Sequence, residues 1–223
     1  GYDLRTSLIT YPENGRIPEI VEGAFMQRGG VSEDYPSQRP VRFMGAGGIS
    51  KDGPEDRGLS ERCIAGFNAG PPFMPSAYNN NIQIFQHKEH IVIMTEMVHD
   101  ARVVPLDENH DLHDDVRLWS GDSRGYWDGD TLVVETKNFS DMVQSFLASP
   151  YGNAREKSLT ERFTRVSETT VEYDVTINDP GTFTDRITAM VPMTKVDGLL
   201  REYSCHEGNY GTVSYTHLTL PTN

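Results

Sequence analysis

Residues 170–177 read Thr-Val-Glu-Tyr-Asp-Val-Thr-Ile, and this stretch decides the fold class. Its apolar residues stand at every second position, and charged or hydroxylated residues stand between them. Because successive side chains of a strand point to opposite faces, the alternation predicts a strand with one buried and one solvated face. Strands of this kind are typical of antiparallel sheets. The residues predicted for the buried face are Val171, Tyr173, Val175 and Ile177.

Shorter runs with strand character stand on both sides of this stretch. Asp128-Gly129, a dipeptide that favours a hairpin turn, precedes one of them. The links between runs are too short for crossover helices, which need a dozen or more residues. The pattern therefore predicts an all-β fold in which an antiparallel meander forms a lipocalin-like barrel, with a β-sandwich as the alternative. The predicted strands cover residues 82–84, 91–97, 131–136, 159–166, 170–177, 182–191 and 199–205, and residues 98–106 either extend the second strand or form a further one.

The first 75 residues differ in composition from the rest of the chain. Gly-Gly pairs and a Pro-Pro pair occur there without sustained periodicity, which is typical of irregular structure. We predict a Gly- and Pro-rich arm over residues 1–75 that packs on a barrel domain of residues 76–212. Within the arm, Thr6–Thr10 is predicted to form one short strand.

The formal net charge of −13 narrows the possible partners. Nucleic-acid binding needs clustered Lys and Arg to neutralise phosphates, and an anionic membrane surface attracts the same cations. The sequence also has no apolar stretch of the ~18 residues that a membrane helix needs. We therefore expect neither nucleic acid nor membrane as a partner. A neutral or cationic small ligand fits this charge, and so does acidity that merely confers solubility.

The chain has two cysteines, Cys63 and Cys205, which stand far apart in sequence. Neither has the CxxC spacing of a zinc site. A disulfide between them is favoured over two reduced, buried thiols, and closing so long a loop stabilises a fold by about 5 kcal/mol when only chain entropy is counted. A disulfide also favours an oxidising location, which means the periplasm or the outside of the cell.

One group of candidate catalytic residues consists of Glu96, His99, Asp100 and Arg102. A His can act as a general base, a carboxylate can orient it, and an Arg can bind an anionic group. On a regular strand His99 points away from the other three residues, so a bulge near His99 is needed to bring all four together. The alternative is a carboxylate that forms a salt bridge with Arg102 at the rim of the barrel.

A second group of candidate catalytic residues, His206 and Glu207, follows Cys205 directly. Together with His99 and Asp100 they could hold a divalent metal, although their spacing matches no established metal motif. We expect no other cofactor, and a surface His at a strand end is the alternative.

The acidic segment 107–115 places Asp107, Asn109, Asp111, His113 and Asp115 at alternate positions, and the oxygens of four of them follow the spacing of a calcium loop. Leu112 stands where such a loop needs Gly, and Leu118 stands where it needs Glu. A solvated acidic loop is therefore the preferred interpretation.

Aromatic, amide and Arg side chains stand together in two parts of the sequence. Rings stack on sugars and other small polar molecules, while amides and Arg bind their polar groups. We therefore predict a small polar molecule or sugar as the ligand, although the same residues could instead close one end of the barrel and cap its turns. The candidate ligand-binding residues are Tyr78, Asn79, Asn80, Asn81, Trp119, Asp122, Arg124 and Trp127.

Four blocks of the sequence have a recognisable pattern: NNNIQIFQHKEHIVIMTEMVHDARVVPL (79–106), GDSRGYWDGDTLVVETKNF (121–139), ERFTRV (161–166) and YSCHEGNY (203–210). Together they resemble an uncharacterised family of exported bacterial proteins, over a range from about Arg5 to Tyr210. The resemblance implies export, since the members of that family begin with a signal peptide, and it implies no particular activity. The acidic segment 107–115 departs from the family, whose loop there contains Gly and Pro.

The sequence after Gly211 no longer follows this family pattern. Its run SYTHLTLPT resembles translated sequencing-adapter read-through, so residues 213–223 are predicted to be a non-native tail. The alternative is a genuine last strand, since Val213, Tyr215 and Leu218 suit a β-strand.

The sequence thus predicts an extracytoplasmic enzyme, a hydrolase or lyase that acts on a small polar or carbohydrate-like substrate. In that hypothesis His99 or His206 transfers protons, Asp100 or Glu207 orients the His, and Arg102 or Arg124 binds an anion. The chain has no Gly-x-Ser-x-Gly motif, which argues against an ordinary serine hydrolase. The alternatives are a barrel that binds a small ligand without chemistry and a structural or interaction module, and the sequence predicts no oligomeric state.

Overall fold

The computed structural model describes most of the chain from residue 70 to residue 205, and it confirms an all-β fold with antiparallel sheets. In this part of the chain there is no α-helix, and Met97–His99 form a short 3-10 helix. Only the backbone is described at residues 31–32 and 35–36. The described residues are 7–24, 31–32, 35–36, 59, 63–65, 70–106, 112–141, 143, 145–146, 152 and 154–205.

The strands of the described residues are numbered in chain order. Three of them belong to the N-terminal part of the chain: β1 (Ile9–Tyr11), β2 (Val31–Ser32) and β3 (Tyr35–Pro36), of which β2 and β3 pair with each other. The others are β4 (Ile82–Gln86), β5 (His90–Thr95), β6 (Ala101–Pro105), β7 (Asp122–Asp128), β8 (Thr131–Lys137), β9 (Ser158–Arg165), β10 (Thr170–Asn178) and β11 (Ile187–Thr194).

A six-stranded sheet forms the larger part of the fold, in the order β1-β11-β10-β9-β8-β7. From β7 to β11 each strand pairs with the next one along the chain, so the predicted meander is confirmed from β8 to β11, and β7 is a strand that the sequence analysis did not predict. The predicted strand 170–177 is β10, and it lies between two partners. Its Val175 stands opposite Glu161 of β9 on one side and Ala189 of β11 on the other.

A second sheet contains three strands in the order β4-β5-β6. It meets the larger sheet where Leu106 forms a parallel bridge with Gly125 of β7. A Cβ atom at Gly125 would lie 2.9 Å from Cγ1 of Val104, so the absence of a side chain allows this close approach. Buried residues of both sheets then form one hydrophobic core, which includes Ile91, Ile93, Val134, Phe163, Val175 and Ile187.

The described strands do not close on themselves. Strand β4 ends the smaller sheet and β1 ends the larger one, and no described strand joins these two edges. The choice between a lipocalin-like barrel and a sandwich therefore stays a prediction.

The structure corrects several details of the predicted strands. Residues 199–205 form no strand; there the N–H of Arg201 bonds to the Glu96 carboxylate and the N–H of Cys205 bonds to the carbonyl of Tyr203. Strand β11 begins later than predicted, since residues 179–183 form a turn first. Of the two alternatives for residues 98–106, the structure confirms a further strand at residues 101–105, because Val98 and His99, with φ of 60° and 46°, redirect the chain.

The predicted arm is described only in part. Its predicted strand at Thr6–Thr10 overlaps β1, which pairs with β11. The rest of the arm outside the ranges given above and the tail of residues 213–223 lie outside the described residues.

A buried ion pair joins the two sheets. Arg102 of β6 donates two hydrogen bonds to Glu161 of β9, from Nη1 to Oε2 at 2.5 Å and from Nη2 to Oε1 at 3.1 Å. The two side chains are 6% and 0% exposed. Tyr173 of β10 donates a further hydrogen bond to Oε1 of Glu161, at 2.8 Å. Burial, and then the charge of Glu161, raise the pKa of Tyr173 well above its ordinary value, so Tyr173 keeps the proton that it donates.

We expect Glu161→Leu to destabilise the fold by about 3–5 kcal/mol, since it leaves the Arg102 guanidinium buried without a counter-ion. The double variant Arg102→Met/Glu161→Leu is expected to recover much of that loss, because it removes both charges and restores apolar volume. Urea unfolding, followed by tryptophan fluorescence, measures the free energy of unfolding of each variant.

The exposed ion pair between Arg162 and Asp128, at 2.7 Å, provides a matched control. Arg162→Met is expected to cost less than about 1 kcal/mol, because water screens this pair. Equal losses for Glu161→Leu and Arg162→Met would contradict a structural role for the buried pair.

Candidate functional site

A groove of about 1340 Å³ lies between β4 and the C-terminal half of β11, and we call it the β4–β11 groove. Residues 195–201, which follow β11, form part of its lining. Apolar side chains form most of that lining, and those in or against the core include Phe73, Ile82, Ile84, Val191 and Met193. The polar lining residues include Asn80, Asn81, Lys195, Asp197 and Arg201.

The buried ion pair also fixes the apolar side of the groove through Phe73. The backbone N–H of Phe73 donates a hydrogen bond of 3.1 Å to the hydroxyl of Tyr173, which itself bonds to Glu161. The guanidinium of Arg102 lies 5.3 Å from the centre of the Phe73 ring, within reach of a cation–π interaction. Phe73 therefore connects the lining of the groove to the buried ion pair of the core.

Glu96 holds two parts of the groove lining together. Its carboxylate accepts hydrogen bonds from the side-chain amides of Asn79, at 3.1 Å, and Asn81, at 3.5 Å. It also accepts a hydrogen bond of 2.9 Å from the backbone N–H of Arg201. Asn81 precedes β4 and Arg201 belongs to the segment after β11, so one carboxylate fixes the distance between the two.

The chain beyond the groove lining is anchored by the predicted disulfide, which the structure confirms. Cys63 and Cys205 are bonded, with their Cα atoms 5.9 Å apart. Two residues earlier, the carbonyl of Tyr203 lies 3.0 Å from Nδ1 of His99, and the Tyr203 ring lies 6.5 Å from that of Tyr78. Burial, and then the neighbouring Tyr78, raise the pKa of Tyr203.

The first group of candidate catalytic residues occupies different surroundings. Arg102 faces the core, where its salt-bridge partner is Glu161 and not a carboxylate at a rim. Glu96 bonds to the groove lining, as described above. The side chain of His99 points outward beside the carbonyl of Tyr203. None of these side chains, nor that of Asp100, lines the β4–β11 groove.

Asp100 is half-buried at the start of β6. Its carboxylate accepts a hydrogen bond of 3.3 Å from the hydroxyl of Ser120. Burial raises the pKa of Asp100, and the hydrogen bonds from Ser120 and from the backbone of Ala101 oppose that rise. The net effect is that the fold favours the protonated form of this carboxyl.

The second group, His206 and Glu207, lies outside the described residues. Within the ranges that the structure describes, no three His, Cys, Asp or Glu side chains come together as ligands of a metal ion. The acidic segment 107–115 is described only from Leu112 onward. A metal site that involves His206 and Glu207 stays a prediction.

The candidate ligand-binding residues separate into two sets. Asn80 and Asn81 line the β4–β11 groove, and Asn79 lies beside them on Glu96. Tyr78 is 60% exposed and contacts Tyr203. The remaining four do not line the groove: Trp119 and Trp127 are partly exposed, and Asp122 and Arg124 form an ion pair at 2.6 Å.

The sequence interpretation missed the side of the groove that β11 and residues 195–201 form. One signal was present: Pro192 lies inside a β-rich stretch, and Pro in a strand marks an edge. Pro192 between the apolar residues Val191 and Met193 therefore indicated an unpaired, apolar strand edge, which is where a groove can form.

Comparison with protein-family models, with curated proteins and with solved structures found no match to this chain. The resemblance to a family of exported bacterial proteins therefore stays a prediction. Among the described residues, the structure contains no helix with the length and hydrophobicity needed to cross a lipid bilayer.

The raised pKa of Asp100 predicts a pH-dependent difference between the protein and Asp100→Asn. The unfolded chain releases this proton near the ordinary value of 3.8, whereas the folded chain holds it to higher pH. The contribution of Asp100 to stability is therefore fully present below pH 3.8 and declines as the pH rises through the folded pKa. We expect Asp100→Asn to gain stability relative to the native protein over that window, as measured by urea unfolding at a series of pH values.

Ser120→Ala serves as the companion variant, since it removes the hydrogen bond that favours the charged form of Asp100. It is expected to steepen the decline of stability with pH. A difference between native protein and Asp100→Asn that does not change with pH would contradict this account.

Proposed function

We propose that the protein is an extracytoplasmic binding protein that takes up an elongated, mainly apolar ligand in the β4–β11 groove. The observation that carries this proposal is the groove itself, which is lined by apolar side chains from two separate sheets together with a smaller number of polar ones. Sites for small ligands are concave and mostly apolar, with a few polar groups that fix orientation.

The position of the groove between two strands, β4 and β11, together with its size favours a long ligand over a compact one. Sites for drug-sized molecules enclose roughly 300–1000 Å³, and the β4–β11 groove measures about 1340 Å³. Two apolar side chains at its margin, Val196 and Leu199, are 66% and 91% exposed. When a ligand covers exposed apolar side chains at the border of an apolar groove, their removal from water lowers the free energy of the complex.

The structural roles of the described candidate catalytic residues favour binding over chemistry. Glu96 accepts hydrogen bonds that position the groove lining, and Arg102 is paired in the core. A catalytic acid or base needs to reach its substrate directly or through one water molecule, and neither side chain lines the groove. The hydrolase or lyase hypothesis stays a prediction that depends on His99 or His206 for proton transfer and on Asp100 or Glu207 to orient the His.

The location is proposed from the Cys63–Cys205 disulfide. Disulfides persist in the periplasm and outside the cell, and reducing conditions keep most cytosolic thiols free. A lipocalin-like arrangement is proposed from the position of the β4–β11 groove. A ligand in this groove would occupy the gap between the two sheet edges, where a barrel would otherwise close.

A test of the proposed site uses the fluorescent probe 1-anilinonaphthalene-8-sulfonate, whose emission rises in an apolar site. We expect saturable binding to the native protein. Val196→Ser/Leu199→Ser is expected to weaken it at least roughly tenfold, because even one fully covered apolar side chain contributes about 1.5 kcal/mol or more. Both positions are exposed, so the folded state should keep its stability.

Val166→Ser is the matched control, since Val166 is 50% exposed and does not line the groove. It is expected to leave probe affinity unchanged. Circular dichroism of each variant checks that the fold is intact. Unsaturable binding, or equal weakening by the control, would count against the proposed site.

A further inference from the structure

The β4 side of the groove is the unpaired edge of a sheet. Hydrogen bonds from Glu96 N to Asn81 O and from His87 N to His90 O show that odd-numbered residues of this region direct their backbone groups to β5. Because backbone groups alternate along a strand, Ile82 and Ile84 direct theirs away from β5, at the groove. In the described part of the chain no strand pairs with that edge.

The β11 side of the groove is a second unpaired edge. Strand β1 pairs with β11 at Thr188 and Ala189, and Met190 N bonds to Leu8 O. Even-numbered residues of β11 therefore direct their backbone groups away from β10. For Pro192 and Thr194, which lie beyond β1, these groups point toward the groove, and no described strand receives them.

The two edges differ in their protection against pairing. Natural proteins protect an exposed edge with charged residues, Pro or a bulge. Strand β11 has Pro192, which removes the outward N–H at that position. Strand β4 reads Ile-Gln-Ile-Phe-Gln and has no charge, no Pro and regular pairing. An unprotected edge with apolar side chains is the kind of surface to which another strand adds.

From these edges we infer that the ligand of the β4–β11 groove is an extended peptide segment that pairs as a strand with β4. The inference rests on the proposed function and names its ligand class. Strand β4 spans about 17 Å at ~3.4 Å per residue, so a segment of about five residues matches it. Alternate side chains of such a segment would face Phe73 and Met193, which makes apolar residues at every second position the expected pattern.

The charge of the groove adds one requirement. The whole chain carries a net charge of −13, yet the described charged residues of the lining are two cations, Lys195 and Arg201, and one carboxylate, Asp197. The nearby Glu96 carboxylate already accepts hydrogen bonds from Asn81 and from the N–H of Arg201, whereas the exposed Lys195 and Arg201 side chains can reach an anionic group on the ligand. The peptide is therefore expected to carry a carboxylate at the end that lies near residues 195–201.

The test uses a fluorescein-labelled heptapeptide that alternates Val and Thr and ends in Glu, with binding measured by fluorescence polarisation. Two isomers carry N-methyl groups on alternate amides, one on the even positions and one on the odd. Only one set of amides can face β4, so one isomer is expected to bind at least roughly tenfold more weakly and the other to bind nearly as well as the parent. Equal affinities of the two isomers would overturn the inference.

The charge requirement is tested with the same peptide ending in Lys in place of Glu. The Glu peptide is expected to bind several-fold more tightly to the native protein, and Lys195→Gln/Arg201→Gln is expected to remove that preference. Both side chains are exposed, so the variant should fold. A preference for the Lys peptide would contradict the inferred ligand chemistry.

The naphthalene probe separates failure of this inference from failure of the proposed function. Displacement of the bound probe by the parent peptide supports both. If the probe binds in the groove and the peptide does not displace it, the groove binds an apolar ligand but the peptide inference is wrong. If neither binds, both are wrong.

Discussion

The buried ion pair between Arg102 and Glu161 is the constraint on which the rest of the structure depends. Two charges that leave water each lose several kcal/mol of solvation, and only close geometry with further hydrogen bonds offsets that loss. Here the guanidinium and carboxylate meet at two points, and Tyr173 adds a third hydrogen bond. Arg102 belongs to the smaller sheet and Glu161 to the larger. Because the two hydrogen bonds of the pair form only in one geometry, the pair fixes how the two sheets lie relative to each other.

That constraint extends to the groove through a short series of contacts. The hydroxyl of Tyr173 accepts the N–H of Phe73, and the ring of Phe73 lies against the guanidinium of Arg102. On the other side of the groove, Glu96 links Asn81 to Arg201, since its Oε2 accepts a hydrogen bond from each. A groove held at both sides in this way is preformed, and a preformed site spares its ligand the entropy cost of ordering the protein. Glu96 and Arg102 thus act as positioning residues in the described structure.

The sequence predicts what depends on local periodicity and misses what depends on distant partners. The alternation of residues 170–177 reports β10 directly, because the side-chain period of a strand is a local property. The disulfide was predictable because only two cysteines exist to pair. Glu161 is 59 positions from Arg102, and Arg201 is 105 positions from Glu96. No pattern within one strand encodes such pairs, so Glu96 and Arg102 were interpreted as catalytic candidates because of their chemistry alone.

The open edge of β4 is a further feature that no local sequence pattern predicts. Closed barrels remove strand edges altogether, and open sheets need some other protection for each edge. On β11 the protection is local and visible in the sequence, since Pro192 removes the outward N–H. On β4 the described residues contain no protection, although Ile82 and Ile84 direct backbone donors and acceptors into an apolar groove. Backbone N–H and C=O groups at this edge need hydrogen-bond partners, and the apolar side chains beside them are more stable when water is excluded. A strand that pairs with the edge forms the hydrogen bonds and covers the apolar side chains at once. We therefore interpret the edge as part of the proposed binding site and not as an unprotected defect of the fold.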